Sequence, residues 1–356
     1  MGCSGFNGSL TIGDSVTSIE ASTFEDCSGF TGSLTIGNNV TSIDNRAFVG
    51  CSGFNGTLTI GESVTSIGDY AFSGCSGFTG SLNFGESVTS IGDYAFKGCS
   101  GFTGSLNFGE SVTSIGNWAF SGCSGFTGSL NIGDKVTSIG AFAFEGCSGL
   151  NGSLTIGNSV TSILSSAFNG CSNITSLWIK STNLSVRGEK AFEMEGLKTI
   201  TCYSVTPPKC YKNVTNFANY SAQLYVPQDA IAEYKTATEW EKFTNINPIP
   251  VPATSISLNK SELNMIVGES ETLIASVLPE NTTETAEWSV LAEPQGCVTV
   301  EDGKVTAVAP GSATVTATAG EFSASCKVTV TQPASEIVID FAGSGIEGGK
   351  SDSQCR

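Results

Sequence analysis

The 356-residue sequence predicts a mostly β protein: a solenoid of 24-residue coils followed by a small β-sandwich. Three observations predict it. Cysteines stand at positions 3, 27, 51, 75, 99, 123, 147 and 171, a strict period of 24. Apolar residues recur at fixed offsets in every unit; in the third they are Cys51, Phe54, Leu58, Ile60, Val64, Ile67, Ala71 and Phe72. After Pro252 the texture changes to alternating Thr, Val and Ala. One unit of this length cannot bury its own apolar face, so successive units stack and share a core.

Within a unit, Leu58-Thr59-Ile60 alternates inward, outward, inward, which predicts a short strand. Stacked strands lie about 4.8 Å apart, so eight coils make a rod of roughly 35–40 Å. The glycine that follows, Gly61 here, ends the strand and lets the chain turn. The remainder, Ser63 to Phe72, carries inward residues at mixed spacing and is predicted irregular or a short helical turn on the opposite side. Cys27, Cys51, Cys75, Cys99, Cys123 and Cys147, with Phe48, Phe72, Phe96 and Phe120, form the expected core ladder.

The unit at Cys171 changes: Ile174, Leu177 and Ile179 sit at a spacing one residue shorter between Ile174 and Leu177, and Ala191-Phe192 closes the coil. Residues 1–202 are read as the solenoid and 203–247 as a cap over its apolar end. The cap is predicted to hold one helix, N-capped by Asp229 and running to Phe243, with Ile231, Tyr234 and Trp240 at helical spacing. Pro248, Pro250 and Pro252 make residues 248–252 a stiff linker. Residues 253–331 show strands at the short spacing of a sandwich, three of them before Pro279. Residues 332–356 are Gly/Ser-rich, a flexible tail or the start of a further segment.

The pattern Cys-x-x-apolar, Leu-x-Ile, Val-x-x-Ile-x-x-x-Ala-Phe resembles the BspA-type (Treponema-type) leucine-rich repeats of bacterial surface proteins. This chain departs from that pattern by one extra residue per unit, in the segment before Leu58, and by glycine where proline usually follows the strand. The resemblance covers about residues 3–250 and implies a leucine-rich-repeat solenoid. It also implies attachment to a host or matrix protein, or to another cell-surface protein, at the bacterial surface. Residues 253–331 resemble a group 2 bacterial immunoglobulin-like domain through the opening SISLNKSEL, Trp288, the block Asp302–Thr318 and the closing CKVTV. That likeness implies an immunoglobulin-like β-sandwich acting as a spacer or adhesive unit.

Composition removes several functions. The net charge is −17, from 16 basic and 33 acidic residues, so a phosphate-binding footprint is missing and no nucleic-acid partner is expected. Anionic membranes would repel the chain, and no apolar run is long enough for a membrane span. There is no histidine, which removes His-based acid–base catalysis, His-activated nucleophiles and His-ligated zinc. No phosphate loop, dinucleotide fingerprint or closely spaced cysteine pair occurs, so no cofactor and no metal are expected. The repeat is already in frame at Cys3 without the polar cap an array needs, so the chain reads as a fragment whose export signal lies outside it.

Three groups of candidate residues remain. Equivalent cysteines in adjacent coils come within bridging distance, yet their side chains point in parallel, so buried thiols are favoured over a disulfide or metal ladder. Cys202 with Cys210, and Cys297 with Cys326, are the candidate disulfide pairs. Tyr70, Tyr94, Trp118 and Phe142 occupy one offset in four consecutive coils. They form either a ligand-binding stripe or a shield over the layer beneath, and the shield is favoured. On the strand face stand Thr59, Asn83, Asn107 and Asn131 in an outward row, with Glu62, Glu86 and Glu110 beside it. That row would meet a ligand or remain solvated. The leading expectation is a monomeric, non-enzymatic, extracellular adhesion or protein-binding protein. A glycan-binding module using the aromatic stripe, and a stalk for a larger exported protein, are the alternatives.

Overall fold

The computed structural model describes residues 5–211 and 216–333; Cys3 and all of the tail beyond Pro333 lie outside the described residues. The chain divides into two units, Met1–Ile249 and Pro250–Arg356.

The first unit is the solenoid. Each regular coil contributes two short strands that pair in parallel with counterparts in neighbouring coils, the first-strand row falling into three sheets with breaks after Leu58–Thr59 and after Leu106–Asn107. The first-strand row runs Leu10–Ile12, Leu34–Ile36, Leu58–Thr59, Leu82–Asn83, Leu106–Asn107 and Leu130–Ile132, then Ser153–Ile156, Ser176–Ile179, Thr199–Cys202, Gln223–Val226 and Asn245–Pro248. Inward Leu and Ile are buried and the residue between them faces out. The register is that of the repeat, Leu10 opposite Leu34 and Leu130 opposite Leu154, then one residue shorter, Leu154 opposite Leu177 and Leu177 opposite Ile200.

A second row was not legible in the sequence. The segment read as irregular contains a two-residue strand, Ser66–Ile67 in the third coil, and its equivalents build a nine-stranded parallel sheet from Ser18–Ile19 to Lys209–Cys210. Two residues are too few to show alternation; only stacking makes them a strand.

Two columns of phenylalanine fill the space between the sheets and the coil corner. Phe48, Phe72, Phe96 and Phe120 are wholly buried, with successive ring centroids 5.2, 5.0 and 5.3 Å apart. Phe30, Phe54, Phe78, Phe102 and Phe126 form the second column at 5.4, 5.1, 5.8 and 5.1 Å. These are ordinary offset-stacking separations, and truncating one such ring costs about 3–5 kcal/mol.

The end of the solenoid differs from the expected helical cap. The helix expected from Asp229 to Phe243 is broken into a 3-10 turn at Gln228–Ala230, a single α-turn at Ile231–Tyr234 and a 3-10 turn at Trp240–Lys242. Pro227, not Asp229, stands at the start, with no side-chain cap. Tertiary demands override helical spacing here. Tyr234 and Trp240 are fully buried, the Tyr234 hydroxyl donating to the Ser204 carbonyl (2.9 Å) and Trp240 Nε1–H to the Pro208 carbonyl (2.8 Å). Glu239 adopts φ +74° and turns a buried carboxylate inward to accept from the Tyr220 hydroxyl (2.6 Å) and the Asn216 N–H (3.2 Å), with Lys242 as its ion-pair partner. The region also adds the last two strands of the first row. Pro248 ends the final strand; Val251, already in the second unit, is bonded to Thr282 and Thr283 of that same unit.

The second unit is sandwich-like, with an immunoglobulin-like pattern of mostly antiparallel strands. Four strands, not three, precede Pro279: Ser255–Leu258, Glu262–Ile266, Ser270–Thr272 and Ala275–Leu278. Gly311–Ala319 pairs with both Glu287–Glu293 and Phe322–Thr331, while Glu262–Ile266 joins the last of these in parallel. Leu263, Met265, Val305, Val315, Cys326 and Val328 lie in its core.

Candidate functional site

The cysteine ladder is a packing device with a hydrogen-bonding task. The Sγ–H of Cys75, Cys99 and Cys123 donates to the carbonyl of Phe48, Phe72 and Phe96, at 3.0–3.1 Å. Cys51 and Cys147 do the same toward Phe24 and Phe120 (3.0 and 3.2 Å). The unit therefore needs a small, mostly apolar side chain that can still donate, because a buried carbonyl left unpaired is costly. Burial pushes the Cys99 thiol up to about 12 and Cys123 well above its ordinary value. Neither candidate disulfide pair is bridged in the structure. Cys202 and Cys210 are free thiols on strands of different sheets, the first accepting from the Tyr234 hydroxyl (3.1 Å). Cys297 and Cys326 are likewise free, and their sulfurs face the Ser312 and Lys327 carbonyls instead.

The aromatic stripe is built by the coil corner. Tyr70, Tyr94, Trp118 and Phe142 all have φ between +57° and +59°, and so do Ser22 at +58° and Lys190 at +60° at the same offset. The left-handed conformation thus belongs to the corner rather than to the ring. The four rings stack on one another with centroids 4.5, 5.9 and 4.1 Å apart and planes within 13°. Lys97 Nζ sits over the Tyr94 and Trp118 rings at 5.2 and 4.8 Å. The faces of Tyr94 and Trp118 are therefore occupied by other rings and by a lysine, while Tyr70 at the end of the row is 37% exposed.

The carboxylate row on the strand face holds coils together. The N–H of Glu110 donates to Glu86 Oε2 (2.9 Å), Glu62 N–H to Asn38 Oδ1 (3.2 Å) and Asn158 N–H to Asp134 Oδ1 (3.0 Å). A second ladder, unseen in the sequence, joins Asn45, Asp69, Asp93, Asn117 and Ala141: each Oδ1 accepts from the backbone N–H one coil on, at 2.6–2.8 Å. Its signal was the Asp or Asn that follows Gly68, Gly92 and Gly116. These glycines are required by contact, since a Cβ at Gly92 would stand 2.6 Å from Asp69 Oδ1 and 2.7 Å from Asp69 N. In the outward row Thr59 is exposed, and Asn107 Nδ2 donates to Asn83 Oδ1 (2.6 Å), while Asn131 is exposed in the coil that follows. Along the second-strand face, Ser66, Ser90, Ser114 and Ser138 line a shallow groove of about 570 Å³ with Asp69 and Asp93 at one side. Among the described residues, no group of three or more Cys, Asp or Glu could hold a metal ion, and no helix is long and apolar enough to cross a membrane.

The sequence reading missed the aromatics at the far end of the first-strand face. Trp178 and Tyr203 are 40% and 41% exposed, with centroids 6.4 Å apart and planes within 23°. Register places Thr201 opposite Trp178 and Tyr225 opposite Thr201. The signal was available: Trp178 occupies the outward offset that Thr59 and Asn83 hold in earlier coils.

The repeating coil matches a known family. A family profile for the BspA type leucine rich repeat region matches residues 2–127 and 125–222, in six copies. The chain belongs to the BspA-type leucine-rich repeat family. In this member the profile for the group 2 bacterial Ig-like domain also matches, over residues 252–330. Such repeats and Ig-like domains are generally non-enzymatic. Two uncharacterized proteins of Clostridium acetobutylicum are similar: one is 32% identical over 93 residues (25% of this chain and 10% of that protein), the other 27% over 108 residues (30% and 26%). The chain thus spans about a quarter or less of the curated relatives it matches. Among solved structures, a leucine-rich repeat protein from Bacteroides ovatus is 20% identical (TM-score 0.39, covering 73% of this chain and 79% of that one). A leucine rich cell surface protein from Faecalibacterium prausnitzii is 20% identical (TM-score 0.37, 68% and 79%).

Proposed function

We propose that this BspA-type repeat protein is a non-enzymatic adhesion protein of the bacterial cell surface. Its solenoid binds a host or matrix protein, or a protein on another cell, and the Ig-like domain serves as a spacer. One observation carries the reading. Inward positions stay apolar from coil to coil, while the outward offset of the first strand is polar in the regular coils and turns aromatic at two later ones: Thr59, Asn83, Asn107, Asn131, Thr155, Trp178, Thr201 and Tyr225. A rigid core that holds a long, open, chemically varied face suits recognition of a macromolecule. Family membership and the cell-surface description of the F. prausnitzii protein agree with display outside the cell. The test is a binding array of extracellular-matrix and cell-surface proteins probed with the full chain. Saturable capture by a defined protein is expected. The absence of any such capture from a broad array would remove the adhesion role.

A further inference from the structure

We propose that the end of the first-strand face formed by Trp178, Lys180, Tyr203 and Tyr225 is a binding site for an anionic saccharide chain. This site occupies one end of the face to which the protein-binding role was assigned above, but its argument does not rest on that role.

Its rigidity comes from below. Leu177, Ile179, Ile200, Cys202, Leu224 and Val226 alternate with the outward residues and are buried, so the strands carrying the rings are fixed by the core. Trp178 and Tyr203 themselves stand well exposed and contribute little to that core. Their centroid separation of 6.4 Å is looser than the 4.1 and 4.5 Å of the closest pairs in the corner stripe, and each keeps about two-fifths of its surface in solvent. Unlike Tyr94 and Trp118 of the stripe, which are half-buried between other rings and Lys97, both members of this pair offer aromatic surface to a ligand.

The surroundings select the chemistry. The alternation that places Trp178 outward continues to Lys180, which is exposed, and Lys180 falls beside Tyr203 when the pairing of Ile179 with Cys202 is extended by one residue. The adjoining outward positions are Ser176, Thr199, Thr201, Gln223, Asn245 and Asn247, all hydroxyls and amides. Asn247 Nδ2 donates to Gln223 Oε1 (2.9 Å), a bond that leaves the Gln223 amide N–H groups and the Asn247 carbonyl oxygen for other partners. No carboxylate occupies these outward positions, in a chain of net charge −17. The acidic row that flanks the face in earlier coils last carries a charge at Asp134; its next member is Asn158. Two coil spacings, about 10 Å, separate Asp134 from the Lys180 coil, roughly a Debye length at moderate salt. A flat cluster of aromatic surface, amides, hydroxyls and a lysine matches a sugar's apolar ring face, its hydroxyls, and a carboxylate or sulfate. The size agrees: four strands by five residues is about 14 × 14 Å, far below the ~800 Å² each partner contributes to an ordinary protein interface.

The experiment is affinity electrophoresis of the full chain through gels containing heparin, polygalacturonate or neutral dextran. It compares wild type with Trp178→Ala, Tyr203→Ala, Lys180→Gln and, as a control, Tyr94→Ser. Melting temperatures confirm that each variant is folded. Retardation by at least one anionic polymer and none by dextran is expected. Trp178→Ala and Tyr203→Ala should weaken it roughly tenfold or more, the loss typical of a truncated aromatic anchor. Lys180→Gln should weaken it less and flatten its dependence on salt, and Tyr94→Ser should leave it unchanged. Equal retardation by dextran, no retardation by either anionic polymer, or full retention in folded Trp178→Ala would each overturn the site. So would a protein ligand from the array whose capture requires Trp178 while neither anionic polymer is retained.

Discussion

The coils up to residue 170 and the stretch from 171 to 249 use one architecture for opposite ends. In the regular coils many polar groups bond between neighbours: Asx ladders and threonine hydroxyls on carbonyls such as Thr89 on Thr65 (3.0 Å), beside the ring stacks. In the later coils the register shortens, the acidic row disappears, and outward positions carry Trp178, Tyr203 and Tyr225. Repetition with near-identical residues makes a stable rod, much of whose polar surface is tied up between neighbouring coils. Departure from repetition frees the surface for something else.

The largest expected effect tests the regular half. Phe96→Ala should lose about 3–5 kcal/mol in urea denaturation, because it interrupts a continuous ring column. A loss below ~1 kcal/mol would mean that the columns are not what holds the coils. Gly92→Ala should cost about 1–3 kcal/mol by forcing a methyl against the Asp69 backbone, whereas alanine at Gly98, with no neighbour within 4 Å, meets only its φ of +74°. Equal losses at the two sites would show that close coil contact is not the reason for glycine in the Asx ladder. At the closing end, Tyr234→Phe should cost about 1–2 kcal/mol by leaving the Ser204 carbonyl without this donor. A neutral result there would make the closing segment a loose cover rather than a packed plug.

Acidity separates folded from unfolded coils as well. Cys99 is raised from 9.0 to about 12 by burial, so the neutral thiol favours the folded state. That contribution is complete below about pH 9 and is lost as pH rises from 9 toward 12. Native protein at pH 8 should therefore leave Cys99 unreactive toward Ellman's reagent, and urea should expose it; rapid labelling of native coils would contradict the buried ladder. The smallest effect belongs to the variant half: Trp178→Ser should change stability by no more than about 0.5 kcal/mol, since the ring is an exposed surface residue. A large loss would identify Trp178 as a structural residue and remove it from any binding site.

The period, the inward set from Cys51 to Phe72 and the first strand could all be read from sequence, because each is a local pattern repeated many times. The second strand at Ser66–Ile67 could not, because two residues carry no period. Nor could the end of the solenoid. Helical spacing from Asp229 to Phe243 was real, yet burying Tyr234, Trp240 and the Glu239 carboxylate mattered more than continuing a helix. The stripe of Tyr70, Tyr94, Trp118 and Phe142 was visible as a row, but whether its rings face one another or face solvent depends on inter-coil distance.

The sequence by itself determined that this chain repeats, which side chains turn inward, that histidine chemistry is missing, and that a second, β-rich domain follows. Those are consequences of residue type and spacing along the chain. The tertiary structure alone decided the partners of the polar groups: the thiols on Phe carbonyls, the carboxylates on backbone N–H groups of the next coil, and the exposure of Trp178 beside Tyr203. These depend on which residues 23 to 27 positions apart come into contact, a distance that stacking sets and that no local pattern encodes.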